Sequence, residues 1–244
     1  QNELFWSDNV YPEGVFVSKT FKFQTKIIQS LTLNAGHFII ITQGASLKDD
    51  SYFQGIQIHT KHWGETFELF PSFYYFKNIP NIPDGNQSYF LDYSILHIGT
   101  KLKLFKTPNI NLETDYYYNF ENHQNNNSIA KKFKKQNKGL VVGVSLGQLK
   151  EKKDWMAKAT FTYMQQYAAV DFLAQNDWAR WDYSSLGSPD GRLTNFKGLE
   201  LLAGYALNKK MTLKIRYFTV NQLIPYGALK ETGDRLRLDL DIRF

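Results

Sequence analysis

Apolar and polar residues alternate with a period of two along most of the chain. In the C-terminal segment, Leu236, Leu238 and Leu240 alternate with charged residues such as Arg237 and Asp239. Successive side chains of a β-strand point to opposite faces, so this pattern indicates a strand with one apolar and one charged face. Strict or looser alternation predicts about eleven strands, near residues 15–23, 27–41, 52–60, 67–75, 89–104, 110–120, 140–146, 155–164, 199–205, 211–218 and 235–244.

The connections between these segments alternate in length. Short turns are predicted near residues 24–26, 61–64, 106–109, 150–153 and 208–210, and longer connections near 44–51, 77–88, 121–137, 168–197 and 221–233. Outer-membrane barrels combine short turns at one end with long loops at the other, and their strands need roughly 9–11 residues to cross at a tilt. The sequence therefore predicts an all-β protein, an antiparallel transmembrane β-barrel that forms a single domain over residues 1–244.

Aromatic residues make up 16% of the chain, and their positions support this interpretation. Tyrosine and tryptophan collect at membrane interfaces, where their rings are half hydrated. Two girdles are predicted: Tyr116, Tyr118, Tyr163, Tyr167 and Tyr217 at the long-loop end, and Phe21, Phe23, Trp63, Trp155, Tyr205 and Phe244 at the short-turn end. The alternative is the aromatic core of a lipocalin-like or sandwich fold. The charged second face suits a wet lumen better.

Composition narrows the functional classes further. The 244 residues include no cysteine, which excludes disulfides, thiolate zinc sites and cysteine nucleophiles. The net charge of +6 is spread along the chain, and the densest basic stretch, residues 131–138, follows an asparagine-rich segment typical of a solvated loop. Nucleic acid is therefore not a predicted partner. The sequence contains no run of about 18 apolar residues, which is the length that a helical membrane anchor needs.

The strand count has a consequence for the architecture. Bacterial single-chain barrels have an even number of strands, and an unclosed sheet in lipid leaves backbone groups unsatisfied. Either the count is wrong by one, or these residues are the C-terminal portion of a larger barrel that lacks its N-terminal strands here. We favour the second interpretation, with about 16 strands in the whole barrel.

Three segments resemble the bacterial "putative porin" family of outer-membrane proteins. They are LFWSDNVYPEGV near the start, LTNFKGLELLAGYALNKKMTLKIRYFTVNQL, and the terminal DRLRLDLDIRF. The resemblance implies an outer-membrane β-barrel and a diffusion channel, without a known substrate; the missing N-terminal half departs from the family pattern. The terminal Phe244 also looks like the signal by which the barrel-assembly machinery recognises its clients.

The charged strand face supplies the first set of candidate site residues. Rows of charge along a pore set ion preference. The lumen-lining candidates are Lys158, Glu200, Lys214, Arg216, Arg235, Arg237, Asp239, Asp241 and Arg243. Four positive charges on the last two strands predict a mild anion preference. The alternative is that each charge only pairs with a cross-strand neighbour.

The longest connection supplies the second set. Residues 171–198 read DFLAQNDWARWDYSSLGSPDGRLTNFKG. The segment either folds into the barrel as a constriction or forms an exposed loop in which SPDG makes a turn. The constriction candidates are Asp177, Trp178, Arg180, Trp181, Asp182, Asp190 and Arg192.

Motifs for catalysis, metal binding and cofactor binding are absent from the sequence. His59 and His62 stand three residues apart on a predicted strand and so point to opposite faces. A serine or aspartate dyad across strands stays open as an alternative.

The sequence predicts a non-enzymatic outer-membrane channel for passive diffusion of small hydrophilic solutes or ions, with no metal and no cofactor. Its partners would be membrane lipid, the barrel-assembly machinery and solutes. The sequence is also compatible with an oligomer. The alternative is a plugged structural or adhesive barrel that binds a partner through its long loops.

Overall fold

The computed structural model describes residues 5–6, 12–42, 49–81, 89–186, 188 and 191–243. These residues form one antiparallel sheet of eleven strands, as the alternation predicts. The strands are β1 Glu13–Lys22, β2 Ile28–Ile41, β3 Ser51–His62, β4 Phe67–Pro80, β5 Phe90–Lys106, β6 Asn109–Asn119, β7 Lys138–Gly147, β8 Trp155–Met164, β9 Phe196–Asn208, β10 Met211–Gln222 and β11 Thr232–Ile242. No helix in the described ranges is long and apolar enough to cross a membrane.

The sheet is open, so these eleven strands do not close into a barrel by themselves. Strand order in the sheet follows the sequence from β1 to β11, and among the described residues β1 and β11 do not pair with each other. Each of these two strands therefore leaves one row of backbone groups without a strand partner. A barrel closes only when both rows are paired, so closure and the number of about 16 strands stay predictions.

The connections alternate in length, in agreement with the sequence. Short connections span residues 23–27, 63–66, 107–108, 148–154 and 209–210, and long ones span 42–50, 81–89, 120–137, 165–195 and 223–231. In an antiparallel sheet with this order, all long connections leave from the same end. We call the two ends the long-loop end and the short-turn end.

The two faces of the sheet differ in chemistry. The outer face is apolar and uncovered: Leu238 on β11 is 69% exposed and Ile215 on β10 is 46% exposed. The girdle residues of the short-turn end that the structure describes, such as Trp155, are also exposed on this side. Tyr167 is an exception to the predicted girdles. It is only 6% exposed because the connection that carries it turns inward and packs against other long connections.

The opposite, inner face is polar towards the short-turn end and aromatic towards the long-loop end. Gly36 and Gly55 pair directly on β2 and β3, and the rings of Phe38 and Phe53 occupy the space above them. Buried rings continue along the inner face, and Phe5 of the N-terminal segment stacks on one of them. Long connections complete this core through Ile129, Phe133, Tyr167, Val170, Leu173, Trp178 and Trp181. The long connections thus cover the inner face at the long-loop end.

Candidate functional site

Strands β10 and β11 bring three arginines together on the inner face. Arg216 lies directly opposite Arg237, and Arg235 lies opposite Phe218 at the next position of the same face. Like charges opposite each other destabilise a strand pair unless counter-ions lie between them. This sector of the inner face therefore requires carboxylates.

Asp177, from the connection between β8 and β9, is the central counter-ion. Its carboxylate accepts hydrogen bonds from Arg237 Nη1 and, at 3.1 Å, from Arg235 Nη1. Arg216 Nη1 lies 3.7 Å from the same carboxylate, and Arg235 also donates to the Asn176 carbonyl at 3.0 Å. Asp177 is buried, and charge-assisted bonds of this kind are among the strong hydrogen bonds of proteins. They attach the connection to the last strands of the sheet.

Two further carboxylates complete this group. Glu200 on β9 accepts a hydrogen bond from Arg216 Nε at 2.5 Å, and Asp239 accepts one from Arg237 Nε at 2.6 Å. We call the six residues the arginine cluster; its members are Arg216, Arg235, Arg237, Asp177, Glu200 and Asp239. Three positive charges thus face three negative ones. The excess of positive charge expected from β10 and β11 alone is offset by a residue that the connection brings in.

The remaining charged candidates lie nearer the short-turn end. Lys158 Nζ lies 3.1 Å from Glu113, and Lys214 Nζ lies 2.5 Å from Asp241. Both are contacts between side chains of the inner face. Arg243 follows the end of β11 with an exposed side chain, and it forms no ion pair within the part of the chain that the structure describes.

The connection 165–195, called here the β8–β9 loop, lies against the inner face over much of its length. Trp178 packs on Phe196 and Phe218, with ring centroids 5.7 and 5.3 Å away. Trp181 is buried as well, and it pairs with Arg192 in an isolated β-bridge. Both tryptophans are buried, so this loop does not lie wholly in water as an exposed loop would.

The other loop candidates are not brought to the arginine cluster. Arg180 and Asp182 are exposed, and Arg180 lies over the ring of Tyr183 at 5.9 Å. Asp190 lies outside the described residues. Among the described loop candidates, Asp177 alone forms ion pairs with the predicted lumen-lining arginines.

Arg192 takes part in a second buried network around Asp171. One Asp171 oxygen accepts hydrogen bonds from the backbone N–H groups of Leu193 and Thr194, each at 2.9 Å, and from the Thr194 hydroxyl at 2.7 Å. The other oxygen lies 3.2 Å from Arg192 Nη1, which also donates to the Asn81 carbonyl at 2.6 Å. Asp171 therefore joins the two ends of the β8–β9 loop to each other and, through Arg192, to the end of β4.

A buried histidine–carboxylate pair on β5 and β6 bears on the alternative of a cross-strand catalytic dyad. His97 Nε2 lies 2.7 Å from Asp115. In the described ranges, the hydroxyl that bonds to the other nitrogen of His97 is the Tyr74 phenol, at 3.5 Å. No serine hydroxyl is therefore joined to this pair there. His59 and His62 lie on opposite faces, with His59 bonded to Glu68 and His62 to Thr60.

Sequence reasoning did not single out three carboxylates that organise the site: Asp171, Glu113 and Asp115. Glu113 and Asp115 stand at alternate positions of β6, so the period-two pattern places them on the charged face. Their partners depend on strand register, which the pattern leaves undefined. The sequence feature that could have identified Asp171 is its position at the start of the longest connection. Phe244, the predicted assembly signal, lies outside the described residues.

Comparison with known proteins adds the family. No curated protein matches the sequence. A family described as putative porin matches residues 85–244, a segment that contains β5 to β11, the β8–β9 loop and the whole arginine cluster. The predicted resemblance is therefore confirmed over about two thirds of the chain: this protein belongs to the putative porin family.

Proposed function

We propose that the chain forms part of the wall of an outer-membrane channel through which small hydrophilic solutes or ions diffuse passively. The observation that carries the proposal is the contrast between the two faces of the sheet. The outer face exposes aliphatic residues such as Leu236, Leu238 and Ile215, whereas the inner face carries Arg216, Glu200 and their partners. Membership of the putative porin family supports a porin-like role and an outer-membrane location in general.

The two faces fit the solvents on either side of such a wall. In a membrane barrel, apolar residues face the acyl chains and polar residues face a hydrated lumen. Ion pairs of the kind seen between Lys158 and Glu113, or between Lys214 and Asp241, suit a water-filled interior. No chemical step is needed: the width of the lumen and its charges select the solutes.

Closure of the wall is part of the proposal. The unpaired edges of β1 and β11 would expose backbone N–H and C=O groups to lipid, at several kcal/mol for each unsatisfied group. We therefore propose that further strands pair with both edges and complete a barrel of about 16 strands. Lipid surrounds the barrel, and the assembly machinery inserts it.

The β8–β9 loop would narrow this channel. Asp177 and Trp178 are held against the inner face by the arginine cluster and by Phe218. A loop held by buried charges and a packed indole keeps a defined position across the lumen. The constriction would then include the arginine cluster on one side and the loop backbone on the other.

Planar bilayers offer a direct test. The full-length protein, purified in detergent and added to one side of the bilayer, should give discrete conductance steps that scale with salt concentration. Heat-denatured protein in the same detergent is the control. If the native protein produced no steps above this control, the channel proposal would be refuted.

The second candidate is a plugged structural or adhesive barrel, and one observation favours it. Three long connections pack together over the inner face at the long-loop end, as shown by the bond from Lys132 to the Pro225 carbonyl at 2.5 Å and that from Tyr167 N to the Gln136 carbonyl at 2.7 Å. A liposome-swelling assay with small sugars distinguishes the two candidates. Swelling supports an open channel, and its absence in vesicles that contain folded protein supports the plug.

A further inference from the structure

A cavity of about 260 Å³ lies between the inner face and the long connections at the long-loop end. Its wall on the sheet side includes Leu91 and Tyr93 of β5. The loops contribute Phe133, Tyr167 and Tyr226, from three different connections. Known ligand cavities for drug-sized molecules measure roughly 300–1,000 Å³, so this one suits a somewhat smaller solute.

The walls of the cavity are held in place by bonds between connections. The Tyr226 hydroxyl donates to Gln166 Oε1, and Lys132 Nζ donates to the Tyr226 carbonyl at 3.2 Å. Arg192 joins the β8–β9 loop to Asn81 on the opposite side. A cavity fixed in this way needs little reordering when a ligand enters, which favours binding.

The lining combines aromatic rings with hydroxyl and amide groups. Four tyrosines line it, namely Tyr89, Tyr93, Tyr167 and Tyr226, together with Asn81, Ser128 and Gln166. Burial raises the pKa of Tyr167 and that of Tyr226, so both hydroxyls keep their protons over the physiological range. Tyr93 is 3% exposed, and its hydroxyl makes no hydrogen bond within the described residues, although it belongs to the lining.

The buried charges of the cavity are matched. Arg192 lies 3.2 Å from Asp171, whose other oxygen accepts three hydrogen bonds from the protein. Asp182 accepts hydrogen bonds from Ser185 and Ser188. In the buried part of the cavity, an ionic ligand would meet no unpaired charge of opposite sign, because Asp182, the remaining charged residue of the lining, is exposed to solvent. A purely apolar ligand would leave the Tyr93 hydroxyl without a partner.

From these features we infer that the cavity binds a neutral, polyhydroxylated solute the size of a monosaccharide. Apolar C–H faces of such a solute would pack on the tyrosine rings, and its hydroxyls would bond to Tyr93, Tyr226 and Asn81. The inference rests on the proposed channel function, because it names the class of solute that pauses at the long-loop end during passage.

The test uses the full-length protein in planar bilayers, with glucose added to the side that faces the long loops. We expect glucose to interrupt the ion current in a concentration-dependent way. Tyr93→Phe removes a hydroxyl that has no protein partner in the described chain and keeps the ring, so the fold should be unaffected. The loss of one hydrogen bond should weaken glucose binding about 3- to 10-fold. Tyr205→Phe, on the exposed outer face, is the matched control and should bind glucose like the wild type.

A second measurement separates the inference from the channel proposal. Titration of the detergent-solubilised protein with glucose, followed by tryptophan fluorescence, reports binding without conductance because Trp181 is paired with Arg192 beside the cavity. Binding that is weakened by Tyr93→Phe, in a protein that does not conduct, would support the cavity and refute the channel. A conducting protein that shows neither current interruption nor a fluorescence change with glucose would overturn the inference and leave the channel proposal intact.

Discussion

At the scale of single residues, Asp177 has the strongest predicted effect on ion preference. It is the carboxylate that three arginines share, and it is buried with Arg216, whereas Arg235 and Arg237 are partly exposed. Without it, one sector of the inner face would carry an uncompensated positive charge. Interactions of this kind weaken beyond about 10 Å at 0.1 M salt, so their effect on permeating ions depends on ionic strength.

The substitution Asp177→Asn should shift the reversal potential of the channel towards anions and should raise its conductance. The shift arises because the arginines lose one of their counter-ions, and the rise because the attachment of the β8–β9 loop to β11 is weakened. Reversal potentials under a salt gradient measure the first effect, and single-channel currents measure the second. Asp182→Asn, an exposed change in the same loop, is the control. Equal reversal potentials for the two variants would exclude the arginine cluster from the conducting path.

His123 predicts a pH dependence of the loops outside the membrane-spanning strands. Burial lowers its pKa, and its ring packs edge-on against Tyr167 at 4.7 Å. The unfolded loop therefore binds more protons than the packed loop when the pH falls below the ordinary histidine pKa of about 6.5. Packing of residues 120–137 should be fully stable above that pH and should weaken as the pH falls through it.

Hydrogen exchange of residues 120–137, corrected for the intrinsic rate, measures this dependence. Protection should fall between pH 7.5 and pH 5.5 in the wild type. In His123→Gln it should change much less, because glutamine does not titrate. A wild type with the same protection at both values would contradict the assignment of His123 as the responsible group.

At the scale of elements, the outer face of β11 predicts a depth-dependent cost of charge. Leu238 lies in the middle of the strand, opposite Ile215, and is exposed on the apolar face. An arginine near the midplane of a bilayer costs roughly 2–4 kcal/mol in transmembrane barrels. Leu238→Arg should therefore lower the free energy of unfolding in vesicles by about this amount, whereas Leu229→Arg, in the exposed connection after β10, should change it little. Urea titration of the refolded protein measures both, and equal losses would argue against a lipid-facing outer surface.

The elements are also the level that the sequence predicts best. The period-two pattern identifies β10 and β11 and assigns Leu238 and Arg237 to opposite faces, because a strand has only two. The contacts of the loops could not be predicted from this pattern. The positions of Asp177 and Tyr167 depend on how several connections pack over the inner face, and no local repeat encodes this. For the same reason, the predicted girdle position of Tyr167 was wrong, and the pairing of Asp177 with the arginines of β10 and β11 was not predicted.

At the scale of the whole molecule, the alternating connections predict which residues face each side of the membrane. Residues 1–244 include no cysteine, so single cysteines introduced here add no second thiol within this segment. Lys131→Cys and Leu229→Cys, in exposed long connections, should react with a membrane-impermeant maleimide on intact cells. Glu65→Cys and Lys209→Cys, in exposed short connections, should react only after the outer membrane is opened. The expected orientation is that of outer-membrane barrels, with periplasmic short turns and extracellular long loops. The reverse pattern would invert this orientation, and labelling of all four on intact cells would exclude it.

The strictly sequential order of the strands also determines the order in which this molecule can be assembled. Every strand pairs with the one before it in the chain, so the sheet can grow hairpin by hairpin with little entropy lost to loop closure at each step. The bond between Asp177 and Arg237 is different, because it joins residues 60 positions apart and requires β11 to be in place. The β8–β9 loop can therefore complete its ion pairs with β11 only after the last strand has been added. An arrested intermediate that lacks β11 would have a less firmly held and more protease-sensitive loop, and formation of these ion pairs would mark the moment at which the last strand is in place.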